Sequence, residues 1–304
     1  MNKQNIYERL LKITDKENIK LDEPMKKHIS FKVGGPADIL VKPKTEEEIK
    51  NIIKFIREEN IPYEIIGNGS NLLVRDGGIR GVVIEISNNF NDFKIEGNKV
   101  SIQAGAILSV IGKAVMREGL TGFEFAAGIP GTLGGAIAMN AGAYGSEMKD
   151  IVTSVRLLDI EGNIVEYTNE QMKFEYRRSL LTDVEFIVLS VNIELKEGNQ
   201  DDIKNKMKEF TQSRVTNQPL NLPSAGSTFK RPEGYIAAKL IDESGLKGLT
   251  LRGAQVSSKH AGFVVNIGDA TALDILHLMH IVRTIVKTKY GVDLEAELKI
   301  IGED

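Results

Sequence analysis

A short glycine-rich segment of the chain could form a binding site for an anion. It follows a predicted strand, Tyr63–Ile66, and consists of Gly67, Asn68, Gly69, Ser70 and Asn71. Small residues let backbone N–H groups converge on a phosphate, and the Ser and Asn side chains add further donors. The segment fits neither the Walker pattern nor GxGxxG. Taken alone, it is more typical of an ordinary turn after a strand.

A second glycine-rich segment, 128–135, is more specific. It consists of Gly128, Ile129, Pro130, Gly131, Thr132, Leu133, Gly134 and Gly135. Gly131 and Thr132 stand where a helix would begin, which suits a pyrophosphate, and Gly134 with Gly135 would let that helix pack closely. Tight helix packing without a ligand is the alternative. Because the chain has two such segments, we favour one extended dinucleotide that contacts both.

Further candidates are cations and hydroxyls. The adjacent Arg177 and Arg178 are typical of a solvated surface, yet a guanidinium also holds carboxylates and enolates well. In the segment 224–232, Ser227 could donate a proton and Lys230 could bind a phosphate or a carboxylate. By itself this segment is typical of an ordinary strand with a turn.

Two carboxylates lie near the end of the chain. A strand is predicted over Val292–Ile301, and its alternation places Glu295 and Glu297 on one face. The opposite face would carry Leu294, Ala296 and Leu298. Paired carboxylates on a terminal strand are usually exposed. A buried one would become an acid/base candidate, because desolvation raises its pKa.

Helices and strands alternate along the chain and must position these segments. An amphipathic helix is predicted over Asn5–Ile19, and Thr45 and Glu48 predict a capping box for a helix that ends near Asn60. Further helices are expected at 107–117, 235–243 and 271–290, and strands at 152–159, 164–167 and 186–195. This order indicates an α/β or α+β fold.

Composition limits the class of protein. The 304 residues suggest two or three domains, at about 100–200 residues each. The 39 Lys and Arg against 42 Asp and Glu give a net charge of −3 and no reason to expect a nucleic-acid partner. Absence of Cys excludes disulfides and zinc–thiolate sites and fits a reducing cytosol, and no motif predicts a metal site. Without an apolar leader or spanning stretch, we expect a cytoplasmic protein with no membrane partner.

Together these motifs resemble those of the UDP-N-acetylenolpyruvoylglucosamine reductases, the MurB family of cell-wall synthesis. The resemblance covers nearly the whole chain and is carried by residues 28–38, 67–74, 128–135, 176–177, 224–230, 259–263 and 295–302. The two glycine-rich segments are shared with a wider superfamily of flavoprotein oxidases. The serine segment and the terminal glutamate strand are specific to the reductases.

The resemblance implies an α+β fold with a two-subdomain FAD-binding module of the vanillyl-alcohol-oxidase/PCMH type and a C-terminal α+β substrate domain. We place the FAD-binding subdomains at 1–96 and 97–212 and the substrate-binding domain at 213–304, with a return of the last strand to the first subdomain left open. The two glycine-rich segments would hold the FAD pyrophosphate. NADPH would be the electron donor, and the partner a UDP-sugar.

The resemblance also implies a mechanism. FAD would deliver hydride from N5 to the methylene carbon of UDP-N-acetylglucosamine enolpyruvate, which would become UDP-N-acetylmuramate for peptidoglycan. Arg177 would stabilise the enolate, with a protonated Glu297 as hydrogen-bonding partner, and Ser227 would protonate the adjacent carbon. The substrate-binding positions are assigned to Arg214, Lys230 and Tyr144.

Two departures from the family pattern stand out. The chain lacks the tyrosine-bearing loop that one branch folds over the substrate, so it resembles the shorter branch, which must grip UDP otherwise. Asn217 stands where a lysine reaching a substrate phosphate is expected. We expect a monomer. Two alternatives remain open at this point: a related flavin oxidase acting on an alcohol or sugar, and a non-catalytic dinucleotide-binding module.

Overall fold

The structure is a computed structural model that describes residues 2–304. The helices are α1 (Lys3–Leu10), α2 (Glu46–Glu58), α3 (Leu108–Arg117), α4 (Leu133–Ala138), α5 (Gln200–Asn217), α6 (Ala237–Glu243) and α7 (Ala272–Tyr290). Short 3-10 helices lie at Lys16–Asn18, Met25–Lys27, Met148–Asp150 and Leu180–Thr182.

The strands of the first two hundred residues are β1 (Ile19–Pro24), β2 (Pro36–Val41), β3 (Tyr63–Ile66), β4 (Leu72–Val74), β5 (Ile79–Glu85), β6 (Phe93–Glu96), β7 (Lys99–Gln103), β8 (Leu120–Thr121), β9 (Gly142–Ala143), β10 (Ser146–Glu147), β11 (Val152–Leu158), β12 (Ile164–Thr168), β13 (Ile187–Glu194) and β14 (Lys196–Glu197). The remainder are β15 (Thr250–Leu251), β16 (Ala254–Val256), β17 (Val264–Asn266) and β18 (Lys299–Ile301).

The chain divides into two compact units, each assembled from several stretches. The first unit contains residues up to Leu21, 39–68 and 81–212. The second contains 22–38, 69–80 and 213–304. Three of the cuts fall inside β1, β2 and β5, strands of a sheet with the order β1-β2-β5-β3. The three-domain division at 96/97 and 212/213 stays a prediction.

In the first unit, an antiparallel sheet with the order β12-β11-β13-β7-β6 forms one wall of the core. The predicted alternating strand is confirmed as β13, with its apolar side chains buried. The hairpin predicted from the pattern around residues 152–167 is confirmed as β11 and β12. Helix α4 packs against β13, so the sheet gives a rigid support for the end of the second glycine-rich segment.

Helix α2 confirms the helix predicted before residue 60. Its apolar face, Ile49, Ile52, Ile53 and Ile56, is buried, as expected for a helix that lies on a sheet. Only half of the predicted capping box forms: the Thr45 hydroxyl accepts from the Glu48 amide at 3.1 Å. The Glu48 carboxylate instead accepts from the Lys44 amide at 2.8 Å. One orphan amide of the helix is therefore capped, and the glutamate fixes the loop before it.

The helix predicted over Asn5–Ile19 is wrong in its second half, because α1 ends at Leu10. Side chains in the following loop make their own hydrogen bonds: Thr14 Oγ1 donates to Glu48 at 3.1 Å, and Asn18 Nδ2 donates to Thr14 at 3.1 Å. Short polar side chains of this kind compete with the helical backbone. Ile19 then begins β1.

The second unit is built on a small antiparallel sheet, β15-β16-β17, and a parallel pair, β18 with β4. Helix α7 confirms the long helix predicted near the end of the chain. It begins with a capping box of Thr271 and Asp274 and ends at Gly291, whose φ of 72° lies in the left-handed region. The terminal strand is shorter than predicted: only Lys299–Ile301 forms a ladder, after one isolated bridge between Phe229 and Ala296.

Candidate active site

The two glycine-rich segments touch each other within the first unit. Strand β3 ends at Ile66, and Gly67 follows directly. A Cβ built on Gly67 would lie 2.2 Å from Thr132 Oγ1, far inside van der Waals distance. Thr132 is buried and precedes the first residue of α4. Any side chain at position 67 would therefore require the Thr132 side chain to rotate or the two segments to move apart.

The second segment opens a helix, as the sequence predicts. Helix α4 begins at Leu133, whose amide donates to Ala106 O at 2.9 Å, and the Gly134 amide donates to Ala104 O at 2.8 Å. A Cβ on Gly134 would lie 3.1 Å from that of Ala104, which is tighter than ordinary packing. Gly134 thus serves close packing of α4 against the backbone before α3.

Gly135 has a different role, because the protein around it leaves room for a side chain. Its ideal Cβ would meet only Thr132 Oγ1, at an ordinary 3.6 Å, and the residue is exposed. Glycine inside a helix destabilises the helix by about 0.5–1 kcal/mol relative to alanine. Bare backbone that the fold itself does not require is typical of a surface that a ligand approaches closely. Together with exposed Asn68 and Pro130, it fits a cofactor pyrophosphate.

The rest of the first segment belongs to the second unit. Gly69 has a φ of 59°, and a Cβ there would lie 2.1 Å from His28 O. Its carbonyl accepts from the Ser30 amide at 3.1 Å, so the segment packs against residues 28–30. Asn71 Nδ2 then donates to the backbone carbonyl of Glu297 at 3.1 Å. Asn71 is therefore tied to the terminal glutamate segment.

The serine segment pairs with the terminal glutamate segment. The Glu297 amide donates to Thr228 O at 2.9 Å, and the Lys230 amide donates to Glu295 O at 2.9 Å. Thr228 is also bound through its amide to Gly262 O at 2.8 Å and through its hydroxyl, which accepts from the Val264 amide at 2.9 Å. Ser227 precedes this fully engaged residue and follows Gly226, whose φ is 79°. The structure thus brings Ser227 and Glu297 onto neighbouring, hydrogen-bonded backbones.

The two glutamates differ in exposure. The Glu295 side chain is 72% exposed and pairs with Lys230 Nζ, whereas Glu297 is only partly exposed. Lys230 therefore carries a carboxylate partner of its own. Arg214 and Asn217 lie in the last turns of α5. Arg214 is partly buried, and Asn217 Nδ2 donates to Ser213 Oγ at 3.4 Å on the exposed side.

The structure separates the adjacent arginines of the first unit. Arg178 donates to both carboxylate oxygens of Asp183, at 2.8 and 2.7 Å, on the exposed surface. Arg177 is partly buried, and its Nη2 donates to Gly142 O at 3.3 Å. It lies in a turn closed by Glu175 and Arg178, with a φ of 56°. A non-glycine residue in this region is strained, which marks candidates for function.

Tyr144 occupies the tip of the β9–β10 hairpin. It and Gly145 form the two-residue turn, with φ values of 56° and 85°, typical of the type I′ turn that suits a tight hairpin. Its ring stacks on Phe210 of α5 at a centroid distance of 3.9 Å, and its hydroxyl donates to Phe210 O at 2.9 Å. Tyr144 therefore holds α5 while 43% of it remains exposed.

Sequence reasoning missed Asn140, which is fully buried between the hairpin and the Arg177 turn. The signal was present, since Asn is favoured in the left-handed conformation after a helix and Asn140 has a φ of 39° just beyond α4. Nothing in the spacing showed that its side chain would reach residue 175. Among residues 2–304, no group of side chains could hold a metal ion and no helix is long and apolar enough to cross a membrane.

The comparisons with known proteins first define a class. Residues 37–168 match the sequence profile of the FAD binding domain. A solved structure from Physcomitrella patens, "BBE-like 1 wild-type", aligns over 65% of this chain and 45% of its own with a TM-score of 0.50 and 16% identity, which shows the fold alone. The predicted α+β class with an FAD-binding module, and FAD as its cofactor, are confirmed.

Further matches define the family. Residues 218–301 match the profile described as "UDP-N-acetylenolpyruvoylglucosamine reductase, C-terminal domain". A relative from Clostridioides difficile named UDP-N-acetylenolpyruvoylglucosamine reductase is 64% identical over the full length of both chains. The crystal structure of UDP-N-acetylenolpyruvylglucosamine reductase from Thermus caldophilus, 37% identical, covers 93% of this chain and 97% of its own with a TM-score of 0.80. The chain belongs to the UDP-N-acetylenolpyruvoylglucosamine reductase family.

Proposed function

We propose that the chain reduces UDP-N-acetylglucosamine enolpyruvate to UDP-N-acetylmuramate, a peptidoglycan precursor, with FAD as cofactor and NADPH as electron donor. Family membership supports the reaction. The observation that carries the site is the pairing of Glu297 with Thr228, next to Ser227. It brings a hydroxyl and a carboxylate onto adjacent backbones, both within the residues that match the reductase C-terminal profile.

The glycine-rich segments are the proposed FAD-binding residues: Gly67, Asn68, Gly69, Ser70, Asn71, Gly128, Ile129, Pro130, Gly131, Thr132, Gly134 and Gly135. When bound, FAD supplies the hydride chemistry. The protein supplies bare backbone at Gly135 and the close contact of Gly67 with Thr132, which keeps the two segments together.

Arg177 is the proposed electrostatic catalyst. A substrate carboxylate gains electron density when its conjugated double bond is reduced, and a fixed guanidinium stabilises that charge without reorganisation during the reaction. The Gly142 carbonyl and the turn closed at residues 175 and 178 fix the guanidinium. Glu297 is proposed as a hydrogen-bonding partner in the same step.

Ser227 is the proposed proton donor to the carbon next to the new C–H bond. A hydroxyl is a weak acid in water, so catalysis requires that it be held at hydrogen-bond distance from the carbon that takes the proton. The three backbone and side-chain bonds of Thr228 fix the neighbouring position in the chain. Arg214, Lys230 and Tyr144 are proposed to contact the UDP-sugar, in a chain with Asn217 in place of the expected lysine.

One experiment tests cofactor, donor and acceptor together. The purified protein is titrated with NADPH without oxygen while the flavin absorbance is recorded, and UDP-N-acetylglucosamine enolpyruvate is then added. We expect bleaching by one equivalent of NADPH and stoichiometric recovery of the oxidised spectrum on addition of the substrate. A colourless chain that takes up no FAD, or recovery only when oxygen is admitted with release of peroxide, would contradict the proposal.

Three properties stay predictions: a cytoplasmic location, a monomeric state and the domain boundaries given above. Analytical ultracentrifugation of the protein with FAD bound measures the second directly.

A further inference from the structure

We infer that Asn140 is a positioning residue for Arg177, an inference that rests on the proposed function. The side chain is fully buried and makes three hydrogen bonds. Its Nδ2 donates to Glu175 O and to Glu147 Oε2, each at 2.9 Å. Its Oδ1 accepts from the Lys149 amide at 3.0 Å.

These bonds join the two pieces of backbone that set the place of the guanidinium. Glu175 begins the turn that carries Arg177, and its amide and carbonyl bond those of Arg178 at 3.0 and 3.2 Å. Glu147 is the last residue of the β9–β10 hairpin, whose first residue, Gly142, accepts from Arg177. Asn140 therefore binds both the turn from which the Arg177 side chain extends and the hairpin whose Gly142 carbonyl accepts from the Arg177 guanidinium.

The local backbone is strained in a way that requires such support. Asn140, Tyr144, Lys173 and Arg177 all have positive φ, and they account for four of the nine non-glycine residues with this conformation among residues 2–304. Each such residue costs about 1–2 kcal/mol, so the arrangement persists only if its surroundings determine it. The Ser179 hydroxyl adds a second tie by donating to Ala138 O at 3.0 Å.

Hydrogen bonds of Asn140 also connect the Arg177 turn with helix α4, which begins in the second glycine-rich segment, 128–135. Asn140 lies two residues beyond the end of α4 at Ala138, and its amide donates to Ile137 O at 3.2 Å. Because α4 begins at Leu133, directly after Thr132, a short helix connects the proposed cofactor segment with the Arg177 turn. Asn140 is thus assigned to the acceptor half of the reaction, in which Arg177 is proposed to act.

The test measures the two half-reactions separately in Asn140→Ala. We expect the step with UDP-N-acetylglucosamine enolpyruvate to slow by about 100-fold, as for a catalytic group displaced by about 1 Å, while anaerobic flavin reduction by NADPH changes less than about twofold. In an Arg177→Lys background, the same substitution should add less than about twofold, because residues that act through one another are not additive.

Two further variants test whether the effect is specific to the hydrogen bonds of Asn140. Asn140→Asp keeps the side-chain volume and the oxygen that accepts from the Lys149 amide, but it removes the N–H donor to Glu147 and Glu175. It should also slow the step with the enolpyruvyl substrate, and it serves as the test variant should Asn140→Ala fail to fold. Asn18→Ala removes another buried Asn with side-chain hydrogen bonds in the same unit and should leave both steps unchanged.

Equal slowing of both half-reactions, or an undiminished effect of Asn140→Ala in the Arg177→Lys background, would overturn the inference. Failure of the proposed function is distinguishable, because the unsubstituted protein would then not pass electrons from NADPH to the enolpyruvyl substrate at all.

Discussion

Gly67 and Thr132 meet at a distance that admits no side chain: a Cβ on the glycine would lie 2.2 Å from the threonine hydroxyl oxygen. This contact joins two segments that are far apart in sequence, and it favours glycine at position 67. It also links the end of strand β3 to the start of α4 within the first unit.

Substitution of that glycine should therefore weaken both the fold and cofactor binding. We expect Gly67→Ala to lower the free energy of unfolding by about 1–3 kcal/mol, the usual cost of overpacking a well-packed site. Urea unfolding of the protein without FAD measures this. An unchanged midpoint would show that Thr132 can rotate away and that the contact is not restrictive.

Gly135→Ala is the matched comparison for Gly67→Ala, because a Cβ added at position 135 would clash with no neighbouring atom. Gly135→Ala should leave the apo-protein as stable or up to about 1 kcal/mol more stable, because alanine favours a helix. FAD affinity should nevertheless fall by about tenfold, which corresponds to a loss of about 1.4 kcal/mol. Fluorescence titration with FAD checks this. Unaltered affinity would place the pyrophosphate elsewhere.

Ser227→Ala should affect one half-reaction only. Anaerobic reduction by NADPH should be nearly unchanged, while the step with the enolpyruvyl substrate should slow by about 100- to 10,000-fold, the range typical of a lost general acid. Stopped-flow absorbance at the flavin band resolves both. Ser224→Ala, three residues earlier and similarly part-exposed, is the control and should behave as the unsubstituted protein. Equal slowing of both steps would exclude Ser227 as the donor.

The neighbouring arginines provide another matched pair. Arg177→Lys should lower kcat for the enolpyruvyl substrate at least about tenfold, because lysine offers a point charge where a planar, bidentate donor is needed. Arg178→Lys should change it less than twofold, since an exposed ion pair such as that with Asp183 contributes only about 0–1 kcal/mol. Steady-state kinetics on both variants decides which guanidinium takes part.

His260 should give the second unit a pH-dependent stability near neutrality. Burial lowers the pKa of His260, and Lys247 lowers it further, while a backbone hydrogen bond and Asp242 oppose the change. Its Nδ1 accepts from the Gly262 amide at 3.1 Å, a bond that only the unprotonated nitrogen makes. The unfolded chain therefore takes up a proton first as the pH falls.

The stabilisation from neutral His260 is complete above the unfolded pKa of about 6.5 and is lost as the pH falls below it toward the lowered folded pKa. His260→Gln should flatten the decline in unfolding free energy between pH 7 and 5, measured by urea titration. His280→Gln, on the exposed face of α7, should keep the original slope. The assignment to His260 would be contradicted if the unfolding free energy fell with the same slope between pH 7 and 5 in the unsubstituted protein and in both variants.

Local sequence determined much of this protein. Apolar periodicity gave α2, β13 and α7 because side-chain burial on one face is a local pattern. Residue types alone identified the glycine-rich segments, the pair Arg177 and Arg178, Ser227, and the pair Glu295 and Glu297 as candidates, and the family resemblance then selected Arg177 and Glu297. The prediction of α1 failed in its second half, because the loop after Leu10 is set by hydrogen bonds with Glu48, a distant residue.

Only the tertiary structure decided which candidates meet. No spacing rule shows that Gly67 must accommodate Thr132, that Glu297 pairs with Thr228, or that Asn140 reaches the carbonyl of Glu175. Each of these contacts depends on where the chain returns after a long excursion, and therefore on the packing of whole elements. The sequence determines which chemical groups are available, and packing determines which of them act together.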